Sequence, residues 1–108
     1  MTMASLPKFL RARIDEDEQV ARAAQAAAWE FAVSEPENAA SGKADEFAAA
    51  QRAYLLQLGP ERMLVECETK RRILEVAKAS SSTVTRALLE LMAVPYATHE
   101  NYKKDWRP

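Results

Sequence analysis

The stretch LGPERMLVECETKRRILEVAKASSST, residues 58–83, decides the fold class. Its Gly59-Pro60 pair is the clearest punctuation in the chain. Glycine can end one helix, and proline can open the next in its first turn, where the missing N–H has no intrahelical partner to lose. From Pro60 to about Ser80 no glycine or proline follows. Leu64, Cys67, Arg71, Leu74 and Ala77 recur there at helical spacing, and Met63, Ile73 and Val76 widen the stripe. The run Ser80 to Thr83 breaks that helix, and Ser82 or Thr83 can cap a further one. The pattern is helix, tight link, helix.

The same pattern extends in both directions. Downstream, Val84, Leu88, Leu91 and Met92 mark the apolar face of a fourth helix that stops before Pro95, because the residue before a proline avoids the α region. Upstream, a second helix covers about Ala44 to Leu58, with Phe47, Tyr54, Leu55 and Leu58 on one side. Residues 34–43, SEPENAASGK, read as a surface loop. A first helix opens near Ser5-Leu6-Pro7 and runs to about Ser34-Glu35-Pro36. Phe9, Leu10, Ile14, Val20, Ala21, Ala24, Ala28 and Phe31 form its stripe.

Composition agrees. The chain has 108 residues with only two glycines, few β-branched residues and many alanines. Alanine gives helix cheaply and little burial, so the aromatic and branched residues must carry the core. The expected architecture is all-α: a small bundle of about four helices forming a single domain over residues 1–108. No apolar run approaches a bilayer span, no segment resembles a signal peptide, and the single Cys67 excludes an internal disulfide. A reducing cytoplasm and no membrane partner are expected. Charge is uneven: residues 1–50 hold five Lys/Arg against nine Asp/Glu, and residues 51–108 hold ten against seven. Such polarity can orient a partner or a second copy of the chain, so a homodimer is one possibility.

Three segments carry a resemblance. FLRARIDEDEQVARAA near the start, GPERMLVECETKRRILEVA in the middle and TRALLELMAVPYATHENYKKDW at the end occur in that order. Together they resemble a family of small uncharacterised proteins of actinobacteria and their phages, over most of residues 8–31 and 54–107. Tyr54 stands where the family commonly has histidine, Gly59-Pro60 where it has aspartate-proline, and Ala28-Trp29 where it has proline-tryptophan. A role built on that histidine therefore does not transfer. The resemblance implies no known activity. It does imply an actinobacterial or phage origin and a cytoplasmic accessory protein.

Chemistry-bearing residues are few. Asp15, Glu16, Asp17 and Glu18 form an acidic run whose simplest role is a solvated helix face. A metal-dependent enzyme would require Asp15, Glu18, Glu66 and His99 to converge in a pocket. Glu66 and Glu68 could equally pair with Lys70, Arg71 and Arg72 on their own helix. Arg71 lies nearest the apolar stripe and could reach an acid on the first helix such as Asp17 or Glu18. Cys67 and His99 are the only soft ligands, and one of each makes no structural zinc site without two carboxylates. No glycine-rich phosphate loop, GxSxG or HExxH occurs. Neither an enzyme, a cofactor nor a bound metal is expected.

The last residues, VPYATHENYKKDWRP from 94 to 108, hold Tyr96, Tyr102 and Trp106, three of the eight aromatics. They read as an ordered aromatic strap over about 95–108, because an alanine-rich core needs their area. The expected function is non-enzymatic protein binding through the first helix. Asp15, Glu16, Asp17 and Glu18 would lie beside an alanine face around Ala21, Ala24 and Ala28 that could receive another helix. The alternative is a nucleic-acid-binding regulator using Lys70, Arg72, Lys103, Lys104 and Arg107, although local acids make nucleic acid a less suitable partner.

Overall fold

The computed structural model describes residues 5–27 and 43–108. Regular structure among them is helical, and no strand occurs. α1 spans Ser5–Ala26, α2 Lys43–Gln57, α3 Pro60–Lys78 and α4 Thr83–Ala93, with 3-10 turns at Val94–Tyr96 and Lys104–Trp106. The expected stop of the first helix near Ser34 to Pro36, and nearly all of the expected loop, lie outside the described residues. No helix among the described residues is long and apolar enough to cross a membrane. The chain divides into two compact units, Met1–Asp17 with Cys67–Pro108, and Glu18–Glu66.

In the first unit, Leu6, Phe9, Leu10, Arg13 and Ile14 are the buried positions on α1, spaced three and four apart. Cys67 and Leu74 from α3, Leu89 and Ala93 from α4, and Trp106 complete the buried set. The α1 and α3 segments run antiparallel. Arg11 pairs with Glu75 at 3.2 Å and Asp15 with Arg71 at 2.8 Å, so one turn forward on α1 is one turn back on α3. The Cys67 thiol, also buried, donates to the Ile14 carbonyl at 3.7 Å. α4 opens as its serines predict: Ser82 Oγ accepts the Thr85 N–H at 3.1 Å.

Two stripes differ from expectation. On α4 the buried residues are Leu89 and Ala93, whereas Val84, Leu88 and Leu91 are 69%, 54% and 56% exposed. Periodicity ranks faces by hydrophobicity, and on α4 the larger apolar side chains gather on a face that points outward, while Leu89 and Ala93 are buried beside the polar Arg86 and Glu90. On α3, Cys67 and Leu74 are buried as expected, but Ile73 and Val76 are exposed.

In the second unit, Ala21 is buried and Ala24 half-buried on α1, and Glu18 pairs with Arg22 one turn on at 2.7 Å. On α2, Phe47 and Tyr54 are exposed and Leu55 is half-buried, so the expected one-sided core of Phe47, Tyr54, Leu55 and Leu58 does not form. The apolar residues of α2 are spread around the helix instead of along one stripe. The Gly59-Pro60 link behaves as read: Leu58 N–H bonds to Tyr54 O at 3.0 Å, and Met63 N–H to Gly59 O at 3.1 Å as α3 begins.

Candidate functional site

The residues that follow α4 fold back as consecutive tight turns. Ala97, His99 and Tyr102 N–H groups bond to the carbonyls of Val94, Tyr96 and His99 at 3.0, 2.9 and 3.0 Å. Trp106 N–H bonds to Lys103 O at 3.0 Å. Three-residue steps bring successive side chains to one side of the chain, here Tyr96, His99 and Tyr102. Those three rings, with Trp106, surround Phe9 of α1 at centroid distances of 6.4, 5.7, 6.1 and 4.9 Å. Edge-to-face geometry dominates, as ring quadrupoles favour. The strap is ordered and packed.

Arg13 lies one turn beyond Phe9, with its guanidinium carbon 5.1 Å from the Phe9 ring centre. Its side chain is only 9% exposed. Nη2 donates to Glu16 at 2.7 Å, and Nη1 meets the His99 imidazole at both Nδ1 (2.7 Å) and Nε2. Nδ1 also accepts the Asn101 N–H at 3.0 Å. A guanidinium has only donors, so Arg13 can bond only to the ring nitrogen that carries no hydrogen, and Nδ1, which takes the Asn101 N–H, fits that role. Beside it the Tyr96 hydroxyl donates to Asp17 Oδ2 at 2.7 Å and accepts from Lys70 Nζ at 3.3 Å. Partial burial, then the Asp17 hydrogen bond and charge, push the Tyr96 phenol well above its ordinary value.

Each carboxylate of the acidic run has a partner within the chain, and Asp15 and Glu16 remain exposed. Asp15 goes to Arg71, Glu16 to Arg13, Asp17 to Tyr96 and Glu18 to Arg22. Arg71 reaches an α1 carboxylate as expected, that of Asp15. Ala21 is buried, which removes it from the accessible face. Of the basic residues, Lys70 bonds to Tyr96, Arg72 is exposed and pairs with Glu68 at 3.1 Å, and Lys103, Lys104 and Arg107 are exposed in the last segment. Glu66 pairs with Arg62 at 3.1 Å. Among the described residues no three His, Cys, Asp or Glu side chains gather as a metal site requires, and His99 faces Phe9 and Arg13.

Sequence reasoning missed the roles of Phe9 and Arg13. The available signal was a charge at position 13 inside the stripe Leu6, Phe9, Leu10, Ile14, where an arginine must find an acceptor or a ring. The outer face of α4 was visible as a stripe but read as core. Val84, Leu88 and Leu91 lie within about 60° of arc on that helix, and Ala87, Val94 and Pro95 extend the exposed apolar strip.

No curated protein and no solved structure matches this chain. The profile of one family, described as a family of unknown function (DUF6221), matches residues 3–108. The chain therefore belongs to that family, and the resemblance of its three segments to an uncharacterised family has this footing.

Proposed function

We propose that the protein is a non-enzymatic accessory that works by binding another polypeptide through the outer face of α4. The observation that carries this reading is Val84, Leu88 and Leu91, all more than half exposed on one face of a helix whose opposite face holds Leu89 and Ala93. An isolated exposed leucine is unremarkable, but a contiguous apolar strip along a helix marks a contact surface. No charged side chain interrupts Val84, Ala87, Leu88, Leu91, Val94 and Pro95. The complementary surface is therefore the apolar face of another helix, with little electrostatic steering. An actinobacterial or phage origin, implied by the sequence resemblance, makes a host protein the natural occupant, and a second copy of the chain is the other.

The test compares the native chain with a Leu88→Glu, Leu91→Glu variant whose helicity is checked by circular dichroism. Sedimentation velocity reads self-association, and affinity capture from an actinobacterial extract reads a partner. A dimer or a discrete captured protein that the variant loses supports the reading. If native and variant chains sediment as the same monomer and capture the same proteins, the α4 face is not the contact.

A further inference from the structure

We draw no further inference here: the strongest candidate, the surface groove along α3 lined by Glu68, Arg71, Arg72, Glu75 and Val76, has charged walls already paired within the chain, and nothing in the structure shows what covers it.

Discussion

Trp106 lies 4.9 Å from Phe9, ring centre to ring centre, joining the first turns of α1 to the last residues of the chain. The indole is 1% exposed, and Tyr102 meets it edge-on at 5.6 Å. This contact, with those of Tyr96 and His99, makes the final segment part of the first unit's core.

Removing the indole should therefore cost what a large core truncation costs. Trp106→Ala is expected to lower unfolding free energy by about 3–5 kcal/mol, measured by urea denaturation. A double-mutant cycle with Phe9→Leu should give a coupling of about 0.5–1.5 kcal/mol. A loss below about 1 kcal/mol for Trp106→Ala would mean the segment is not packed in solution.

The Tyr96 phenol gives an alkaline limb. Its folded-state value is raised above that of the unfolded chain, mainly by burial and then by Asp17. Above the ordinary phenol value the folded state holds a proton that the unfolded state has lost. The stabilising contribution is thus fully present below about pH 10 and disappears as pH rises further. Tyr96→Phe should flatten that decline, measured as melting temperature between about pH 8 and 11. An unchanged slope in the variant would remove Tyr96 as its source.

The part of this legible in sequence was the part set by punctuation. Gly59-Pro60, Ser82 and Pro95 fixed where α3 begins, where α4 begins and where α4 gives way to turns, because each acts on the backbone next to it. The need to bury Tyr96, Tyr102 and Trp106 followed from an alanine-rich composition. Faces were less legible. α4 carries apolar residues on both sides, so spacing alone could not choose Leu89 and Ala93 over Leu88 and Leu91. The acidic run was read by its charge, yet two of its carboxylates are placed by residues distant in sequence, Arg71 for Asp15 and Tyr96 for Asp17. Nothing local to positions 15–18 encodes those partners.

The ion pairs between α1 and α3 should matter little to stability. Arg71 and Asp15 are both partly solvated, as are Arg11 and Glu75. Asp15→Asn and Glu75→Gln are each expected to cost about 0–1 kcal/mol, with the smaller effect at high salt. A cost above about 2 kcal/mol would require a buried network in place of a surface pair.

Cys67 should be chemically quiet. Its thiol is buried and points at the Ile14 carbonyl. Reaction with an aromatic disulfide reagent is expected to be slow in the native protein and immediate in denaturant. Fast native labelling would show that α1 and α3 separate readily in the first unit.

The contact role of α4 is tested most directly by placing a photo-crosslinking side chain, benzoylphenylalanine, at Leu88 and, separately, at Leu91, with Glu75 and Lys104 as controls. Illumination in an actinobacterial host should give one discrete adduct, a partner or a second copy, from positions 88 and 91 and none from the controls. No adduct from either α4 position, or the same adducts from all four positions, would contradict it.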